Sequence, residues 1–278
     1  MNTLRIGTAG IPKSATKRST QEGIKRLAAL DLDCMELEFV RSVQMGEKTA
    51  DAVKATAADK GIALTVHAPY YVNLNSRESD KVKASEERIL KAARIGAAAG
   101  AVSVTFHAGF YHDDDPGVVY PVIMKRLKSL RTTLNDEGLS IHLRPETTGS
   151  VSQFGTLVEI VGLSQEISGV YPCVDFSHLH ARWGGGSTYE DFCEVLSFIQ
   201  TELGPEALAT LHMHVSGIEY GDRGEKKHLP FEESDMDYWA VIRALVDFDV
   251  GGWLICESPI LEDDAILLQQ AYKALKEG

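Results

Sequence analysis

Short apolar runs rich in β-forming residues recur along the chain. Each closes on a small or polar residue and is followed by a longer stretch whose apolar positions return every three to four residues. The runs predict strands over residues 4–9, 34–39, 63–68, 103–108, 140–146, 171–177, 210–216 and 253–258. The stretches between them predict amphipathic helices, among them 19–30, which opens on a Ser-Thr cap signal, 79–99, and a closing helix over 262–275. Gly61 and Gly138 stand after helices and before strands, where a left-handed cap is expected. No Pro/Gly/Ser-rich linker, low-complexity tract or repeat interrupts the alternation, so residues 1–278 are expected to form one domain. Eight β/α units in one domain predict an α/β fold, a (β/α)8 TIM barrel, because parallel strands need helical crossovers and close naturally at eight. An open doubly wound sheet fits less well. No Gly-x-Gly-x-x-Gly follows the first strand, and the polar residues described below are spread over six strands.

Composition narrows the possibilities. The 278 residues carry 28 Lys plus Arg against 40 Asp plus Glu, a formal charge of −12, which excludes a strongly basic nucleic-acid module. Any hold on phosphate must therefore come from a local patch or from bound cations. With 44% apolar and 24% charged residues the balance is that of an ordinary globular protein. No apolar run approaches the roughly 18 residues of a membrane span, and the start lacks a charged segment followed by an apolar one, so a cytoplasmic protein without membrane contact is expected. Cys34, Cys173, Cys193 and Cys256 are widely spaced and predict reduced, mostly buried thiols.

In a barrel of this kind chemistry gathers where the strands end. Strand three ends on His67, strand four on His107, strand five on Glu146, and strand six on Asp175 with His178 just after it. Strand seven carries His212 and His214, and strand eight ends on Glu257. A single strand-end histidine is most often an ordinary hydrogen-bonded residue, and His142 is read that way, facing away from the others. Six consecutive strands offering His, Asp or Glu at one relative level is a different pattern. Buried carboxylates converging in this way need pairing or coordination. Carboxylates and imidazoles without a thiolate suit Zn2+ first and Mn2+ second, rather than the all-oxygen shells of magnesium or calcium.

Six segments, His67-Ala-Pro-Tyr70-Tyr-Val-Asn73-Leu74, His107-Ala-Gly109, Glu146-Thr-Thr-Gly149, Asp175-Phe-Ser-His178, His212-Met-His-Val-Ser216 and Gly224-Glu-Lys-Lys-His228, occur in this order. Together they resemble the endonuclease IV family of apurinic/apyrimidinic endonucleases, within the wider xylose-isomerase-like barrel superfamily, over nearly the whole chain. The resemblance implies a centre of two or three zinc ions. His67 and His107 would bind the first with Glu146, which bridges to a second held by Asp175, His212 and Glu257; His178 and His228 would serve a third. His214 lies two residues from His212 on the same strand face, and His212 is preferred for its distance from Ser216. The family usually has an Asp two residues before the last histidine, where this chain has Lys226. The third ion would then recruit Glu225, be held weakly or be absent.

The resemblance further implies a hydrolase acting in base excision repair, with Glu146 as its catalytic carboxylate. It would cut DNA 5′ to an abasic site and leave a 3′-hydroxyl. Tyr70, beside Tyr71, matches the tyrosine that wedges the helix open, and Arg41 is a further candidate for entering it. Lys13, Lys17, Arg18, Arg77, Arg182, Arg223, Lys226 and Lys227 would form a basic rim, opposed by Asp113, Asp114 and Asp115. A monomer without a nucleotide cofactor is expected. Two other readings share the barrel. A sugar isomerase or epimerase would hold one divalent ion with Glu146, Asp175, His212 and Glu257 and have no use for the remaining histidines as ligands. A non-catalytic binding barrel would hold no ion.

Overall fold

The computed structural model describes residues 2–277; Met1 and Gly278, the ends of the expected domain, lie outside the described residues. Eight parallel strands line the barrel: β1 (Leu4–Ala9), β2 (Cys34–Glu38), β3 (Ala63–His67), β4 (Ser103–Phe106), β5 (His142–Pro145), β6 (Cys173–Asp175), β7 (Leu211–Val215) and β8 (Gly252–Cys256). They are hydrogen-bonded in the order β5-β4-β3-β2-β1-β8-β7-β6. The last seam, between β5 and β6, is closed by the parallel bridges Leu143–Val170 and Glu146–Cys173. The fold is thus the predicted (β/α)8 barrel.

β1 spans the residues its apolar run suggests, and the other strands are shorter than theirs, most of all β6. Over 171–177 the pattern reads as one strand, but Asp175 turns its carboxylate onto the backbone N–H of His178 (2.7 Å) and starts the helix Phe176–Arg182. Helices otherwise fall where expected. Thr20–Ala29 is capped by Ser19, Ser79–Ala98 follows β3, and Glu262–Glu277 closes the chain. Gly61 and Gly138 take φ of 68° and 72°. All four cysteines are free, with Cys34, Cys173 and Cys256 buried. Among the described residues no helix is long and apolar enough to cross a membrane.

Two antiparallel pairs rise from the C-terminal end of the barrel. Gly217–Gly221 pairs with Gly224–Leu229 just after β7, and Gly109–Phe110 pairs with Gln153–Phe154. The 217–229 hairpin is hooked to the loop after β5 by a bridge between Ser150 and Gly224. Gly149 permits this approach, because a Cβ there would stand 2.6 Å from Cβ of Glu225.

The interior of such barrels is ordinarily filled by branched apolar side chains. Here polar groups reach across it between strands that are not neighbours. Glu36 of β2 lies 3.0 Å from His212 Nε2 and 2.9 Å from His214 Nε2, both on β7, and Ser103 of β4 lies 3.2 Å from His212 Nδ1. Thr65 donates its hydroxyl to Glu36 at 2.8 Å. All of these residues are fully buried.

Candidate metal centre

At the C-terminal ends of the strands, ligand atoms converge in sets each within 4.8 Å; Glu36, Glu38 and Glu257 form one, and three others interlock through shared carboxylates. The interlocking three are His67, His107 and Glu146; Glu146, Asp175, His214 and Glu257; and Asp175, His178 and His228. Glu146 belongs to the first two sets and Asp175 to the last two. Oε2 of Glu146 faces Nε2 of His67 at 3.4 Å and Nε2 of His107 at 3.3 Å, while Oε1 lies 3.2 Å from Nδ1 of His214. Nδ1 of His214 is 3.3 Å from Oε1 of Glu257. Four donors placed tetrahedrally at about 2.0 Å from a zinc ion stand about 3.3 Å from one another, which is the spacing found here.

Backbone carbonyls select the histidine tautomers. A carbonyl can only accept, so Nδ1–H of His67 donates to Ala68 O (2.7 Å), that of His178 to Thr147 O (2.9 Å) and that of His228 to Glu257 O (3.2 Å). Each ring then offers Nε2 as a lone-pair donor, the arrangement that fixes imidazole ligands around metals. His214 is turned the other way, with Glu36 behind Nε2 and the cluster before Nδ1.

The charge balance of the protein residues alone is strained. Glu146 Oε2, Asp175 Oδ2, Glu36 Oε1, Glu38 Oε1 and His214 Nε2 are buried and lack an aligned hydrogen-bond partner. Burial acts to raise the Glu146 carboxyl, yet the attraction of His107 and His214 outweighs it and holds that group well below the usual carboxylate range. Burial likewise opposes charge on His67, but Glu146 and Glu38 raise it to about 10, so a metal ion bound there would have to take the place of the proton on Nε2. Glu38 itself is pushed up to about 8 by burial, and burial also raises Glu257. Orphaned carboxylate oxygens beside lone-pair imidazoles form a donor set that fits divalent cations of the zinc or manganese type.

Most of the residues singled out in the sequence meet here: His67, His107, Glu146, Asp175, His178, His228 and Glu257. His212 does not join them. It lies deeper in the barrel with Cys173 and His214, hydrogen-bonded to Ser103 and in contact with Glu36, and burial lowers its pKa to about 4. His214, nearer the strand end, stands where His212 was expected. Glu225 lies 3.2 Å from His178 Nε2 and 3.5 Å from His228 Nε2, on the edge of the third set, whereas Lys226 turns toward Glu219. His142 stands at the opposite end of the barrel, edge-on to Tyr171.

Glu36 and Glu38 were not singled out, although the alternation Cys34-Met-Glu-Leu-Glu puts both on one face of β2. Tyr70, with its ring 5.4 Å from that of His67, and Tyr71 are 57% and 64% exposed at the rim. Beside the centre a cavity of about 600 Å³ runs over β1 and β2, lined by Met35, Leu37, Phe39, Glu257 and Arg18; Arg18 and Arg41 line the groove that continues from it. Much of the remaining basic rim is engaged within the chain. Arg77 approaches Asp113 and Asp114, Lys227 pairs with Glu219, and Arg182 donates to the carbonyl of Ser150.

The chain is 42% identical over 98% of both sequences to an uncharacterized protein of Methanocaldococcus jannaschii. It is 25% identical to a probable endonuclease 4 of Thermoplasma acidophilum, over 68% of this chain and 65% of that one. Among solved structures it superposes on endonuclease IV of Thermus thermophilus with a TM-score of 0.74 at 19% identity, covering 97% and 99% of the two chains. It also superposes on the 3-keto-D-glucoside 4-epimerase of E. coli with a TM-score of 0.70 at 15% identity, covering 99% and 100%. The barrel is thus shared with nucleases and sugar epimerases alike. Residues 24–277 match the profile of the xylose isomerase-like TIM barrel family, and the chain belongs to that family.

Proposed function

We propose that this protein is a metal-dependent apurinic/apyrimidinic endonuclease that hydrolyses DNA 5′ to abasic sites. The observation that carries this reading is the surplus of ligands. A one-ion barrel needs only Glu146, Asp175, His214 and Glu257, yet His67, His107, His178 and His228 converge on the same carboxylates, three of them with their tautomers set by the backbone. Divalent cations bound there, two or three zinc ions or manganese in their place, would polarise a phosphodiester and activate a water. Glu146 is the residue that joins the first two sets. Asp175 joins the second and third while capping a helix, which fixes its direction. Glu36 holds His214 from behind, so that ligand is oriented by a buried carboxylate. Tyr70 and Tyr71 stand exposed at the rim to enter a helix at a lesion, and Arg18 and Arg41 face the flanking groove to meet phosphates. A nucleotide that has lost its base unstacks at little cost, which favours such a lesion over intact DNA.

A sugar epimerase is the second reading. It is favoured by the single set Glu146, Asp175, His214 and Glu257 beside a partly apolar cavity with ample room for a monosaccharide. One experiment separates the two. A duplex with one abasic site is incubated with protein loaded with zinc or manganese, with and without chelator, while ketohexoses are followed for epimerisation and bound metal is counted. Chelator-sensitive incision with two or three ions per chain is expected. Epimerisation with one ion and no incision would replace the nuclease reading.

A further inference from the structure

Buried polar atoms without a hydrogen-bond partner fall mainly in two places. Those of Glu36, Glu38, Glu146, Asp175, His212 and His214 belong to the metal centre or to the polar column beneath it. Three others, Nε of Arg144, Nε1 of Trp253 and Nδ1 of His142, belong to residues lining a cavity of about 610 Å³ at the opposite, N-terminal mouth of the barrel. Arg144 is only 2% exposed. Its two terminal nitrogens donate to the carbonyls of Pro172 and Thr210, at 2.8 and 2.7 Å, which leaves Nε–H without an acceptor. No carboxylate pairs with it among the described residues. Its group lies 5.5 Å from the centre of the Tyr171 ring, and His142 packs edge-on against that ring at 4.8 Å.

A buried cation without a counter-charge is costly, and an unpaired indole N–H beside it adds a second unmet donor. The unmet groups of known polarity here, Nε–H of Arg144 and Nε1–H of Trp253, are donors, so the missing partner is an acceptor with negative charge. Tyr171, Leu203, Ala207 and Trp253 give the cavity flat, apolar walls, and exposed Glu206 on its lining disfavours a second negative charge. We propose that this cavity is a second ligand site for a small organic monoanion, a carboxylate on a flat apolar body. The carboxylate neutralises Arg144 and accepts from Arg144 and Trp253. Burial lowers Arg144 only to about 10, so it stays charged at neutral pH. The site is independent of the chemistry at the other end of the barrel.

The probe is 4-fluorobenzoate, titrated against the full metal-loaded chain and followed by fluorine NMR, with 4-fluorobenzamide as the neutral isostere and inorganic phosphate as the compact anion. Saturable binding of the benzoate is expected, with the amide and phosphate each at least about tenfold weaker, the value of one charged hydrogen bond. Trp253→Phe, which keeps an aromatic ring and removes the N–H, should weaken the benzoate about tenfold, and Ala207→Phe, which places a ring inside the cavity, should weaken it at least as much. Thermal unfolding and metal content check that both variants fold. Arg144→Met removes the cation directly, and the other two variants decide the matter if it does not fold. Absence of saturable binding, amide binding equal to benzoate, tighter binding of phosphate, or indifference to both Trp253→Phe and Ala207→Phe would overturn the proposal.

Discussion

The two mouths of the barrel differ in the sign of what they lack. At the C-terminal mouth, carboxylate oxygens of Glu36, Glu38, Glu146 and Asp175 stand unmet beside converging imidazoles, and positive charge would complete them. At the N-terminal mouth, N–H groups around a buried guanidinium stand unmet, and negative charge completes them. Between them runs a polar column, from Glu146 through His214, Glu36 and His212 to Ser103, in a space that other barrels fill with aliphatic side chains. Buried polar atoms without partners thus mark where each proposed guest would sit, and their donor or acceptor character sets the charge it would need.

The comparison can be broken most forcefully at Glu146. Glu146→Gln should lose bound metal and cut incision by more than about a hundredfold, beyond the 10–100-fold typical of outer-shell partners. Benzoate binding at the far mouth should persist. Elemental analysis beside incision kinetics checks this, and full turnover in the variant would remove Glu146 from its joining role. A smaller effect is expected for Glu36→Gln, which leaves the ligands in place but takes the charge from behind His214. Metal affinity, measured by chelator competition, should fall roughly 10–100-fold and activity should recover at saturating metal. Unchanged affinity would make Glu36 a packing residue. Smaller again, Tyr70→Ala should retain its ions and weaken binding of abasic duplex by about tenfold, within the 1–3 kcal/mol of one aromatic stack on a base. Metal loss in that variant would contradict a rim role.

The smallest effect concerns stability at the N-terminal mouth. Burial and the charges of Arg144 and Arg131 depress the pKa of His142, so the folded state binds fewer protons there than the unfolded chain. Its contribution is complete above the unfolded value of about 6.5 and declines as pH falls through that value. His142→Gln should therefore flatten the acid-side loss of stability, seen as a smaller difference between urea midpoints at about pH 7.5 and pH 5.5. An unchanged difference would count against it.

The fold was legible because alternation and helical periodicity are local properties. The strand ends also placed His67, His107, Glu146 and Glu257 at a common level. What escaped depended on distance across the barrel. Glu36 and Glu38 sit in a short apolar run, and only the approach of β7, more than 170 residues further on, shows that Glu36 supports a histidine. His212 and His214 share a face, so periodicity could not separate them; depth along the strand does. The shortening of β6 followed from a side-chain cap, in which Asp175 satisfies a helix N-terminus and ends the strand it terminates. Arg144 reads in the sequence as one more residue of a strand, and its isolation emerges only when its partners are counted.

Glu225 and His228 ride on the 217–229 hairpin, which pairs with itself, packs on the helix Phe176–Arg182 and is bridged to the loop after β5 at Ser150. Neither of its strands pairs with any of the eight staves, so a change in the hairpin would reach the third set through these two side chains without altering the pairing of the barrel itself.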